Sequence, residues 1–197
     1  MEIVANGLCF DISGLSPGES EPVTSAAHLF GLPNEIGDSH LEAILIRPGP
    51  HIAAARLMLP VARCLAGLGA SFALLPGVQA VAWHSARSWS SPEHFRSSVL
   101  RWIDGGVFPG LGLAALLPLQ DGGMASEGLS LFTGQEIRLA PELASDRRQG
   151  AQLAVRLMHW LVERGNLAER EEISGPESEQ LILEPSSDRK VVEVRKG

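Results

Sequence analysis

The chain has 197 residues, a formal net charge of −7 and an apolar fraction of 45%. At that length a fold buries roughly 70% of the surface its unfolded chain exposes, so neither a metal nor a disulfide is needed to hold it together. An acidic chain without a basic run is a poor nucleic-acid binder, because affinity there comes mainly from neutralising phosphates.

Residues 1–39 are rich in Gly, Ser, Pro and acids, as in SGLSPGESEP at 13–22, with weak strand character in EIVANGLCF at 2–10. They are expected to form an acidic, loosely packed leader holding at most one edge strand. The regular part begins at HLEAILIRP. Its near-continuous apolar run from Leu41 to Ile46, stopped by Pro48-Gly49-Pro50, predicts a strand buried on both faces. In IAAARLMLPVARCLAGLG, Met58, Val61, Leu65 and Leu68 recur at helical spacing, and Pro60 is expected to kink or divide that helix.

VQAVAW at 78–83 reads as a second strand. Ser91-Pro92-Glu93 is a helix start: a serine cap, proline at the first position and an acid in the first turn. Phe95, Val99 and Trp102 continue one apolar face, and Gly105-Gly106 ends it. LGLAALLPL at 111–119 is a third strand and TGQEIRLA at 133–140 a fourth, joined by a glycine-bearing connection.

Ser145-Asp146 opens the longest helix, with Leu153, Leu157 and Leu161 as its stripe and Gly165-Asn166 as its close. AEREEISGPESE reads as a charged, exposed connection. LILE and VVEV around Pro185 to Asp188 form a hairpin. The predicted class is α+β: two layers, a mixed and mostly antiparallel sheet, helices on one face. From residue 78 the order strand, helix, strand, strand, helix, strand matches the ferredoxin-like order, with added strands. Residues 40–197 are expected to be a single domain.

Charge is unevenly placed. No lysine or arginine precedes Arg47, while Glu2, Asp11, Glu19, Glu21, Glu35, Asp38 and Glu42 do. Residues 47–164 reverse this, with eleven arginines against eight acids. Cys9 and Cys64 form no CxxC pair, so they read as buried apolar side chains in a reducing compartment. The glutamate in MEIVANGLCF stands where a secretory signal would carry a basic residue, and the longest apolar stretches fall far short of the ~20 residues that span a bilayer. The expectation is a cytoplasmic protein with no membrane contact.

The best site candidate is VQAVAWHSARSWSSPEH at 78–94. A loop at the carboxyl end of a strand, next to a helix amino terminus, is where open α/β sheets place anionic ligands. There His84 and His94 are candidate acid–base groups, while Arg87, Trp89 and Ser90 are candidate binding residues, Arg87 as a fork donor. The competing reading is a structural corner, with Ser91 capping the helix and Pro92 removing an amide that an anion would want.

Other chemistry fits less well. His84 and His94 have no third ligand nearby, and His51 and His159 lie in other elements, so no metal is expected. GLSLF at 128–132 lacks the last glycine of a nucleophile elbow. GGVFPGLG at 105–112 has no lysine to meet phosphates, so no nucleotide cofactor is expected. Asp121, Glu127, Glu136 and Glu142 lie on or beside the third and fourth strands, where a suitably spaced pair would do glycosidase chemistry. Tyrosine is absent, which removes phenolic acid–base chemistry.

The succession AVAWHSA…SSPEHF, then GLSLFTGQEIRL, a long helix and EEISGPESEQLIL resembles a bacterial family known as domain of unknown function 4261. The likeness runs from about residue 40 to the end. It implies an intracellular bacterial protein and carries over no catalytic residue. Taken with the missing catalytic signatures, the reading is a non-catalytic binding or protein-interaction module with another protein as partner. The alternative is a small hydrolase acting on an anionic substrate at the loop His84–His94.

Overall fold

A computed structural model describes residues 1–33, 36, 41–55, 57–176 and 178–197. Part of the expected leader (34–35 and 37–39), the first residue of the expected strand at 40–48, Arg56 and Glu177 lie outside the described residues. Contacts gather into two compact units: residues 1–83 with 87–107, and residues 84–86 with 108–197. The described residues of the expected leader fall in the first unit, and those of the expected 40–197 domain fall in both. The α+β class is as expected, with helices packed on mixed and antiparallel sheets.

The first unit opens on a hairpin of β1 (Glu2–Ala5) and β2 (Leu8–Ser13). Asn6 and Gly7 link them with φ of 49° and 77°, the two left-handed residues that a tight hairpin turn with the right twist requires. One edge strand at most was expected in residues 1–39, and the described part of that segment supplies three, these two and one more. A short strand, β3 (His28–Phe30), follows in a different sheet, and β4 (Leu45–Pro48) returns to pair antiparallel with β2. The apolar run at 41–46 is thus only partly in β4, which is half-buried with Arg47 exposed, not covered on both faces.

Phe10 on β2 is fully buried against Val61, Cys64 and Leu68 of α1 (Leu59–Phe72). Pro60 does not kink this helix. It sits in the first turn, where the missing amide has no intrahelical partner to lose. After β5 (Val81–Trp83), β6 (Ser88–Ser90) pairs antiparallel with it and parallel with β3.

The cap at Ser91 then opens α2 (Pro92–Ile103), with Phe95, Val99 and Trp102 buried as the spacing predicts. α1 and α2 approach closely through glycine, since a Cβ on Gly69 would lie 3.1 Å from the Phe95 ring. Arg63 donates to the carbonyls of Trp102 and Ile103 at 3.0 and 3.1 Å, its guanidinium 4.9 Å from the Trp102 ring. That places a cation on the negative end of α2 and over an aromatic face.

The second unit is built on one six-stranded sheet. Its strands are β7 (Ala115–Pro118), β8 (Met124–Glu127), β9 (Glu136–Leu139), β10 (Glu171–Ser174), β11 (Gln180–Pro185) and β12 (Val191–Lys196). The spatial order is β10-β11-β12-β9-β8-β7, with β9 and β12 parallel and every other pair antiparallel. A single helical turn, α3 (Ser130–Thr133), joins β8 to β9, and α4 (Arg147–Arg164) packs on both those strands. Asp146 caps α4 through the amides of Arg148 and Gln149, and Leu153, Leu157 and Leu161 face the core with Ile137 and Leu139.

The ferredoxin-like arrangement does not form. β5 lies in the small sheet of the first unit, while the large sheet is drawn from residues 115–196. Two strands of the second unit were not expected, and in the first unit neither β3 nor β6, which falls within the expected loop after β5, was expected. β8 lies within the connection between the third and fourth predicted strands, and β10 lies within AEREEISGPESE, read as a charged connection. β10 is an edge strand with Glu172 and Ser174 exposed, so one-sided burial lets a charged segment join a sheet.

Gln135 pins three segments of this unit. It is fully buried, and its amide nitrogen donates to the carbonyls of Leu167 and Arg189, while its oxygen accepts from the Leu167 amide at 2.7 Å. A buried amide with these partners fixes one packing.

Candidate functional site

The strand β5 ends at Trp83, which is 7% exposed and tilted against Phe95 with ring centroids 6.1 Å apart. A 3-10 turn, His84–Ala86, follows; by contacts it groups with the second unit, whereas Arg87 onward groups with the first. His84 is exposed. Arg87 is exposed too and takes φ of 46°, a left-handed bend that leaves its carbonyl to accept from the amides of Ala27 and His28.

The next residues turn inward. Ser88, Trp89 and Ser90 are all buried, Ser90 to 1%. Trp89 faces Leu29 and Ala82 in register, and Ser90 faces Phe30 and Val81. The strand pairing that creates β6 therefore removes Trp89 and Ser90 from any open surface. His94 lies in the first turn of α2, half-buried, with its ring stacked on Phe30 at 6.3 Å and 15°.

The helix terminus itself is closed. The Ser91 hydroxyl accepts from the His94 amide at 3.2 Å, the Phe95 amide donates to the Ser91 carbonyl, and Pro92 has no N–H. Gly31 lies against this corner with φ of 66°, and a Cβ there would come within 2.9 Å of the Ser91 hydroxyl and 3.2 Å of the His94 Cβ. What the loop brings together is Phe30, Gly31, Ser91 and His94, an apolar and capped joint. The Ser90 hydroxyl and His94 Nε2 are buried without a hydrogen-bond partner.

Two of the four carboxylates singled out in the sequence, Glu136 and Asp121, are engaged in local contacts, and Glu142 is exposed. Glu136 accepts four hydrogen bonds: from the Ser126 hydroxyl at 2.5 Å and from the amides of Gly128, Leu129 and Ser130 at 3.0–3.1 Å. It thereby holds the turn into α3, and GLSLF is that turn rather than a nucleophile elbow. Asp121 accepts from the Gly123 amide and from Arg138 at 2.6 Å, and Arg138 also reaches Glu193 at 3.6 Å. The Gly123 amide, then Arg138, hold the Asp121 carboxyl below the usual carboxylate range.

These groups border an open groove of about 580 Å³, lined by Leu119, Asp121, Ala125, Ser126, Glu136 and Arg138. The carboxylates and the guanidinium of the groove are already paired with one another or with backbone. Glu136 was considered only as half of an acid pair. Its role depends on a turn six to ten residues away, and no spacing rule announces that.

Burial pushes the Cys64 thiol up, and burial with Glu2 and Asp11 does the same for Cys9. Neither is poised as a nucleophile. Among the described residues, no three His, Cys, Asp or Glu side chains gather as a metal site, and no helix is long and apolar enough to cross a membrane. Comparison with known protein families, with curated proteins and with solved structures returns no match.

Proposed function

We propose that this protein is a binding module that acts by contacting another protein and has no catalytic step of its own. The observation that supports this reading is the use of the His84–His94 segment as a joint: Ser91 caps, Trp89 and Ser90 are buried, and His94 stacks on Phe30. The groove carboxylates point the same way, since Glu136 and Asp121 hold local backbone instead of standing ready for proton transfer. Bacterial origin, a cytoplasmic location and membership of the family known as domain of unknown function 4261 belong to the same proposal.

The experiment is affinity capture of the tagged full chain from its host, followed by reconstitution with the purified candidate. A one-to-one complex that re-forms from the two pure proteins, and that survives His84→Ala with His94→Ala, is the expected result. The reading is overturned if that double variant stays folded by circular dichroism but loses the protein's effect in the host, because the two imidazoles would then carry the function.

A further inference from the structure

Phe108 is the first residue of the longer segment of the second unit, and its backbone N–H donates to His159 Nδ1 on α4 at 3.3 Å. An imidazole nitrogen that accepts is unprotonated, so the ring's proton sits on Nε2, which faces Glu163 Oε2 at 3.8 Å. The segment lies tightly along the helix. A Cβ on Gly110 would come within 3.0 Å of the Met158 methyl, and the Phe108 ring meets Phe132 edge-on at 4.9 Å. The Gly110 amide closes the bend by donating to the Phe108 carbonyl at 2.8 Å.

We propose that His159 is a pH-sensitive latch on residues 108–112: the neutral ring holds the Phe108 amide, and protonation releases it. A proton taken from solvent onto Nδ1 turns the acceptor into a donor, so two N–H groups confront each other where one bond existed. This bond is present only in the neutral form, so protonation of the ring loosens the segment.

Glu163 and Arg156 lie one turn to either side of His159 on α4, and the strands on which α4 packs carry Glu127 (β8) and Glu136 and Arg138 (β9). Glu136 and Arg138 are held by the partners described above, while α3 and residues 108–112 carry no charge. Glu163 is 70% exposed, so its attraction for the protonated ring is screened and does not replace the lost bond.

The test is nitrogen-15 NMR of the full chain between pH 8 and pH 5. At neutral pH the His159 ring should show the Nε2-protonated tautomer. On acidification the Phe108 amide should shift with the same midpoint as the ring and, corrected for intrinsic rate, exchange about tenfold faster. His159→Gln keeps an acceptor that does not titrate, and it should preserve Phe108 protection and remove its pH dependence. The latch is overturned by a Phe108 amide that stays level while His159 titrates, by a ring that stays neutral down to acid unfolding, or by the Nδ1-protonated tautomer at neutral pH. The last two readouts come from the unmodified chain and hold even if the variant does not fold.

Discussion

The hydroxyl of Ser126 and the carboxylate of Glu136 meet across adjacent strands at 2.5 Å, and the same hydroxyl accepts the Ile137 amide at 2.8 Å. Together they terminate β8 and launch α3. Glu136→Ala would leave that hydroxyl and the amides of Gly128, Leu129 and Ser130 without their acceptor. The expected cost is about 2–4 kcal/mol, because donors deprived of a charged acceptor in a half-buried site lose more than a neutral bond is worth. Urea unfolding followed by circular dichroism measures it. A change under about 0.5 kcal/mol would mean that water serves the turn as well as Glu136 does.

Ser90 predicts a change of the opposite sign. Its hydroxyl is buried and unpartnered, so Ser90→Ala removes a desolvated polar group and leaves its packing nearly intact. The variant should equal or exceed the parent in stability, by up to about 1 kcal/mol. A midpoint of thermal unfolding lower by several degrees would show that Ser90 has a partner, and would return the loop to consideration as a site.

Much of this was readable locally. The serine cap before Pro92, the long helix closed by Gly165, and the last hairpin each depend on residues within a few positions of one another, and each forms. Asn6-Gly7 between short apolar runs is a local hairpin signal, and the expectation of a loosely packed leader did not draw on it.

Other features were not in any window of sequence. MASE at 124–127 has neither length nor β-branched residues, and becomes a strand because β7 and β9 flank it. Val81–Trp83 was correctly a strand, yet its pairing with β6 rather than with the large sheet is a tertiary choice. The same holds for the site. Its residue types suited an anion, and only the burial of Trp89 and Ser90 and the approach of Gly31 show the corner to be filled.

Asp121 sets an acid response. Its carboxyl is held low when folded, so its contribution to stability is complete above the ordinary carboxylate range near pH 4 and is lost as pH falls through the lowered folded value. Urea midpoints should therefore drop more steeply below pH 4 in the parent than in Asp121→Asn. Parallel curves for the two proteins would show that the Gly123 and Arg138 contacts make no net difference.

The thiols should be slow. Cys64 is buried and Cys9 lies beside two acids, both conditions that disfavour the thiolate. At pH 8, alkylation of the folded chain should lag the urea-unfolded chain by at least about tenfold at both positions. Equal rates at Cys64 would mean that α1 opens freely from its sheet.

The strand synthesised last in the second unit, β12, is interior in space: β11 flanks it on one side and β9 on the other. A chain that reached only residue 190 would therefore hold two ribbons, β10-β11 and β9-β8-β7, with no strand pairing between them. Assembly of this sheet waits for β12, and disrupting that strand would divide it down the middle rather than fray an edge.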